Sequence, residues 1–339
     1  MAPFRIGLYG CGGRTVQILE KAVKEGRAEV ALCFDIRQEN AERLAKKYGG
    51  RVSSKQELME SKECDMLLIS LFPAAHPGAL LETCGCGKPV YIEKPVAVTL
   101  DEVRKLIPLL GKGYVHVGCS YGYYPVFRTV ENLLAEGRIG KIIGIHIDDM
   151  GNTNFSDPIY HGPAANWRGR PESGGELTQH GTHKFEFLRR LAGNFKTLTA
   201  MKIQSAENTT CMEDVWNLIF TQGEDTLTSI HHSLRNCIFT QVGYAEGMEG
   251  TLRWEWNNPS SVTLYPKTYS AQSGIPVPLV KNVGPEDQLD DFITRFKTGL
   301  PPAVDLEDGL WSVLPPIYAR ESVRSGTVQK FPDSLKDIG

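Results

Sequence analysis

The sequence predicts an α/β fold in two parts: an N-terminal Rossmann, doubly wound parallel sheet, then a C-terminal α+β domain with a large, mostly antiparallel open sheet. Three observations carry the prediction. Short apolar runs alternate with amphipathic segments through residues 1–120, the pattern of βαβ units. A glycine-rich turn, Gly10-Cys11-Gly12-Gly13-Arg14-Thr15, joins the first apolar run to the first amphipathic segment. After Ser120 strand-like runs follow one another with turn residues between them, as in a sheet built in chain order.

In the first part, Arg5–Gly10 reads as a strand and Thr15–Glu25 as a helix with Val16, Leu19 and Val23 on one stripe. Glu29–Asp35 is a strand, Asn40–Tyr48 a helix, and Ser54 with Glu57 the start of a short helix. Asp65–Ser70, almost wholly apolar, suits a strand buried on both faces. Pro77–Cys84 is helical and Pro89–Ile92 a strand. Thr99 with Glu102 caps the next helix, and Tyr114–Cys119 closes the series.

The second part, 121–339, opens with a helix over Val126–Ala135 and a strand over Lys141–Asp148. A Gly/Pro-rich stretch, Gly151–Gly175, precedes one helix, Glu176–Leu191. Six strands follow: Thr197–Gln204, Trp216–Thr221, Thr226–His232, Phe239–Tyr244, Thr251–Trp256 and Val262–Tyr265. Helices at Asp287–Lys297 and about 307–324 close the chain, the latter broken or delayed by Pro315-Pro316.

Lys plus Arg number 37 against 40 Asp plus Glu, with no basic block, which excludes nucleic acid as an expected partner. No apolar run approaches the ~20 residues of a membrane span, and a strand begins at Phe4, so the expected location is the cytoplasm. The eight cysteines form no CxxC pair and read as buried, inert thiols.

Gly10 permits a tight turn, Gly12 lets the backbone approach a pyrophosphate, and the helix that follows presents free N–H groups. The third small residue of the full fingerprint is replaced by Thr15. Asp35, ending the second strand, is placed to take both ribose hydroxyls and repel a 2′-phosphate, so NAD is expected; Arg37 keeps NADP open.

Gly10–Thr15, Asp35, Pro73–His76 and Glu93-Lys94-Pro95 together resemble the Gfo/Idh/MocA oxidoreductase family. The resemblance implies oxidation or reduction of a secondary alcohol on a sugar or polyol with NAD(P). It adds Pro73, His76, Glu93 and Lys94 to a cofactor site of Gly10, Gly12, Gly13, Arg14, Thr15 and Asp35. It also makes Lys94 a catalytic cation and His183 the catalytic histidine. Gln179 stands where most members carry a carboxylate, so it holds a substrate hydroxyl and shares no proton. His180, Trp167, Arg168 and Tyr121 complete the implied substrate site, with tyrosines at 121, 123 and 124 where many members are cationic. The family pattern returns the chain to the first domain near Asp305–Gly309, which implies that the last helix packs there. Oligomerisation through the open sheet, as a dimer or tetramer, is likewise expected.

On an ideal helix Glu176, Gln179, His180 and His183 share an arc about 100° wide. Glu176, His180 and His183 have a metal-compatible spacing, but the expectation is a polar pocket with no metal. Two other functions stay open. One is an NAD-dependent glycosidase or lyase that oxidises C3 transiently and recycles the cofactor. The other is a nucleotide-binding sensor without catalysis.

Overall fold

The strands of the first part assemble in the order β3-β2-β1-β4-β5-β6, every pair parallel. They are β1 (Phe4–Tyr9), β2 (Ala28–Phe34), β3 (Arg51–Val52), β4 (Met66–Ile69), β5 (Val90–Ile92) and β6 (Val115–Val117). Between them run α1 (Gly13–Lys24), α2 (Gln38–Tyr48), α3 (Lys55–Glu60), α4 (His76–Thr83) and α5 (Leu100–Leu106). The order reverses between β1 and β4, the switch point where such sheets bind ligands beyond their carboxyl ends. Among the described strands of this first sheet, the two-residue β3 alone has no counterpart in the sequence reading, being too short for any periodicity. The computed structural model describes residues 2–153, 169–206, 208, 210, 212–257, 259–267 and 273–338.

The chain divides into two units. The first takes the residues up to Ser120 together with Gly284–Leu310; the second takes Tyr121–Val283 and Trp311–Ile338. The returning segment is therefore mainly α9 (Gln288–Thr298), upstream of the helix expected to return. The cause is its apolar stripe: Leu289, Phe292 and Ile293 are buried with Ile6, Leu8, Val30 and Leu68 in one core. The last helix, α10 (Leu306–Ser325), starts in the first unit and passes into the second. Asp305 and Asp308 cap it reciprocally, each side chain accepting the other's backbone N–H. Contrary to expectation it runs unbroken through Pro315 and Pro316. Burial of Trp311, Val313, Leu314 and Ala319 offsets the roughly 3 kcal/mol such a proline costs.

In the second unit, α6 (Pro125–Ala135) leads into β7 (Ile142–Asn152). The expected single helix over 176–191 is two: α7 (Gly175–Gln179) and α8 (Gly181–Ala192), separated at His180. The strands are β8 (Phe195–Ile203), β9 (Val215–Gln222), β10 (Thr226–Ser233), β11 (Arg235–Gly247), β12 (Gly250–Trp256), β13 (Ser261–Pro266), β14 (Ile275–Val277) and β15 (Gln329–Lys330). Their order is β14-β13-β12-β11-β7-β10-β9-β8-β15. The sheet is thus mostly antiparallel but not assembled in chain order. β7 inserts between β10 and β11, antiparallel to β11 and parallel to β10, and this central place is what its alternating apolar residues satisfy. Helix α8 lies on one face of the sheet, Phe185 against Phe195 and Phe220, Phe187 against Trp254.

Candidate active site

At the carboxyl end of β1, Gly10 adopts φ +97°, and a Cβ there would collide with the Ser70 carbonyl, so the position requires glycine. Gly12 and Gly13 have open space where a Cβ would stand, and Gly12 caps α1 with no side chain on its free N–H groups. This is a cradle into which an anion can descend onto a helix N-terminus. Asp35 accepts the backbone N–H of Cys11 and of Arg37, each at 2.8 Å, and so ties the loop to the tip of β2. A carboxylate has further lone pairs for ribose hydroxyls. Thr15 is fully buried and its hydroxyl bonds the Gly10 carbonyl at 2.9 Å, so its side chain closes the turn and does not line the cradle.

Glu93 and Lys94 follow β5. Glu93 is buried and accepts from Arg14 Nε at 2.9 Å, which couples this loop to the start of α1. Lys94 is half-buried beside it, before a cis Lys94–Pro95 bond. His76 and Pro73 are both buried. His76 Nδ1 donates to the Pro95 carbonyl at 2.7 Å and Nε2 accepts from Leu71 N at 3.3 Å. Burial, the main cause, also lowers its pKa. The ring therefore joins the loops after β4 and β5 through both of its nitrogens.

In the second unit the polar residues gather where α7 and α8 meet the sheet. Gln179 is buried and its amide nitrogen donates to Ser173 Oγ at 2.7 Å. His183 is half-buried with its ring parallel to that of Tyr121, centroids 5.7 Å apart. Tyr121 also stacks on Phe127 at 4.2 Å, and its hydroxyl accepts from Gln241 Nε2 at 3.2 Å. Both faces of the Tyr121 ring are thus covered, by His183 and Phe127. Trp167 and Arg168 lie outside the described residues.

His180 turns to the break between α7 and α8, its side chain 46% exposed, and its Nδ1 bonds Glu176 Oε1. Glu176 is fully buried and stands 3.8 Å from His232 Nε2. His232 Nδ1 in turn bonds Asp149 at 2.6 Å, and the same carboxylate meets Lys184 and Gln241. Burial alone would raise both carboxyls. Lys184 and His232 outweigh it at Asp149, and His180 with His232 at Glu176, so both lie below their ordinary pKa and are ionised. Sequence reasoning missed Asp149, Lys184 and Gln241. A signal existed for Lys184, which falls seven residues after Leu177 on the apolar side of the helix. Among the described residues no group of three or more His, Cys, Asp or Glu is arranged to hold a metal ion.

The first unit matches the family described as an oxidoreductase family with an NAD-binding Rossmann fold, over residues 4–121. The second matches the GFO/IDH/MocA C-terminal domain over residues 127–265. The chain thus carries both the NAD-binding Rossmann domain and the C-terminal domain of one family. It belongs to the Gfo/Idh/MocA family. Glucose-6-phosphate 3-dehydrogenase of Bacillus subtilis (strain 168) is 24% identical over 246 residues, covering 70% of this chain and 66% of that protein. The chain spans 52%, 66% and 44% of the length of three curated relatives it matches. Among solved structures, an oxidoreductase domain protein from Kribbella flavida superposes with a TM-score of 0.85 at 17% identity, covering 98% and 100% of the two chains. Levoglucosan dehydrogenase in complex with NADH does so with a TM-score of 0.85 at 16% identity, covering 97% and 99%.

Proposed function

We propose that the protein oxidises a secondary hydroxyl of a neutral sugar or polyol, or reduces the corresponding ketone, with NAD. The observation that carries this is the open anion cradle at Gly10–Gly13 in the first unit, at the carboxyl end of the sheet that Lys94 also follows; the second unit carries its own acid–base segment, Glu176–His183. Gly12, Gly13 and Arg14 would hold the pyrophosphate of NAD through backbone N–H groups, and Asp35 the adenosine ribose. Bound NAD supplies a hydride acceptor. Lys94 stabilises negative charge growing on the alcohol oxygen, and a histidine of the 180–183 pair takes the hydroxyl proton, the family pattern pointing to His183. Gln179 orients the substrate.

The test is a panel of sugars and polyols with NAD, reading reduced nicotinamide and product together. Stoichiometric NADH is expected, and Lys94→Ala should lower turnover more than about a hundredfold. Product formed without NADH would replace this reading with the cofactor-recycling glycosidase or lyase.

We further propose that a second copy of the chain covers the outer face of the sheet, where Met201, Ile203, Ile219 and Leu227 are each at least 49% exposed. Sedimentation of wild type and Ile219→Glu tests it; the variant should lose the oligomer, and a monomeric wild type would refute it. Among the described residues no helix is long and apolar enough to cross a membrane.

A further inference from the structure

We infer that an aromatic surface formed by Trp256, Phe239 and Tyr124 holds a further pyranose ring, so that the ligand of the second unit is a glycoside of two rings and not a free monosaccharide. The inference rests on the alcohol oxidation proposed above and names its substrate class. Every residue it uses lies within the second unit.

The surface begins in the core and ends in solvent. Tyr121 has one face on His183 and the other on Phe127, so neither is open to a ligand. Trp256, at the end of β12, is the next ring, 6.0 Å from Tyr121 and 5.7 Å from Phe127. Tyr124 meets the indole in a T-shaped contact at 5.1 Å, and Phe239 does so at 5.8 Å. Trp256 and Tyr124 are part-buried, whereas Phe239 is 63% exposed. The row thus runs from His183 through Tyr121 and Trp256 to Phe239, in steps comparable with the width of a sugar ring.

An irregularity in the sheet turns Phe239 outward. β11 pairs Arg235 with Asn152 and Thr240 with Met150 of β7, so it takes five residue steps where β7 takes two. Residues 236–239 bulge from the ladder, and Ile238 beside Phe239 is 46% exposed. Bulges re-aim side chains and recur beside binding sites. Thr240 pins this one to the strand that carries the indole, its hydroxyl donating to the Trp256 carbonyl at 2.8 Å. The chemistry suits a sugar. An aromatic face carries partial negative charge, and the axial C–H groups of a pyranose present weakly positive hydrogens to it. The side-chain amides of Asn236, in the bulge, and Asn257, directly after Trp256, hydrogen-bond no protein group among the described residues, which leaves donors and acceptors for ring hydroxyls.

The test titrates cellobiose, maltose and lactose, with glucose and galactose as single-ring controls, into the full chain with and without NADH, read by saturation-transfer NMR. In at least one of the two states a disaccharide should bind about tenfold more tightly than either single ring, the worth of a favourable aromatic contact. Phe239→Ala alters an exposed side chain, so the fold should survive, and it should weaken that disaccharide roughly five- to tenfold and remove its preference over single rings. Trp256→Leu should do the same, and Trp256→Phe should restore most of the affinity. In the oxidation assay the loss should fall on KM more than on kcat. The inference is overturned if no disaccharide binds more tightly than its single rings, or if Phe239→Ala weakens both alike. It is equally overturned if Phe239→Ala leaves binding intact but dissociates an oligomer in sedimentation, since a second copy of the chain then occupies the surface. Disaccharide binding of the expected pattern with no NADH formed from any sugar would refute the alcohol oxidation and keep the aromatic surface. NADH formed from glucose with no disaccharide preference would refute the surface and keep the oxidation.

Discussion

Replacing Lys184 with Met removes a cation from the interior while keeping an unbranched stem of similar length. Lys184 is 1% exposed and its ammonium meets the Asp149 carboxylate, so the substitution leaves an anion in a place water does not reach. Breaking a buried pair from one side costs about 3–5 kcal/mol. Asp149 keeps the 2.6 Å bond to His232 and a 3.3 Å bond from Gln241, which places the expected loss at the lower end, about 3 kcal/mol. At about 2–4 °C per kcal/mol for a unit of this size, the melting midpoint should fall by roughly 6–12 °C. The tryptophan fluorescence of buried Trp216 and Trp254, both in the second unit, reports the transition. Lys184→Met/Asp149→Asn removes both charges and should recover most of the loss. The acid side carries a sign as well. A carboxyl held below its unfolded pKa contributes stability above that value and loses it as pH falls. Wild type should therefore weaken more steeply than Lys184→Met as pH drops through the carboxylate range. A single variant within 1 kcal/mol of wild type (about the worth of a surface pair), or a double variant no more stable than the single, would refute the reasoning.

Three further outcomes are expected. His116 is buried between Tyr91 and Phe292, neither ring nitrogen has a hydrogen-bond partner, and burial holds its pKa at about 4 against an ordinary 6.5. The unfolded chain binds the proton first, so stability should fall by about 3 kcal/mol between those pH values, and calorimetry of His116→Phe should show a flatter dependence. Asp35→Ser should shift the ratio of NAD to NADP dissociation constants, read by fluorescence titration, by about tenfold or more towards NADP, the worth of one hydrogen bond to a charged group. Gly243→Ala on β11 places a methyl inside the ring of Trp254 opposite it and should cost about 1–3 kcal/mol in urea unfolding, with lower turnover, because Trp254 Nε1 holds Gln241 at 3.3 Å.

The cofactor half was legible because its chemistry is local. Gly10 to Thr15 are consecutive, and Asp35 is one βα unit away, so strand, turn and helix signals place them with no long-range information. His76 and Thr15 show the limit of that legibility. The motif placed both near the cofactor, but only the tertiary contacts reveal that Thr15 bonds back to Gly10 and His76 to Pro95. A motif records where the backbone goes more faithfully than which way a side chain turns.

The acid–base half was legible in composition but not in connection. Glu176 and His180 stand four apart, which on any helix makes them neighbours, and the pairing survives the break between α7 and α8 because it spans only the turn before it. Gln179 and His183 have the same spacing but stand in different helices, on either side of His180. The remaining members come from β7, β10 and β11, strands adjacent only because β7 inserts between two later ones, an order no local period encodes. What local sequence does encode is the cost. A lysine on the apolar stripe of α8 and an aspartate on the inward side of a central strand are each prohibitive alone, so each implies the other. Together with His232 they hold a fixed charge behind Glu176. That buried network sets its charges beside Glu176 at positions no local motif marks, because they come from strands joined only by the tertiary order of the sheet.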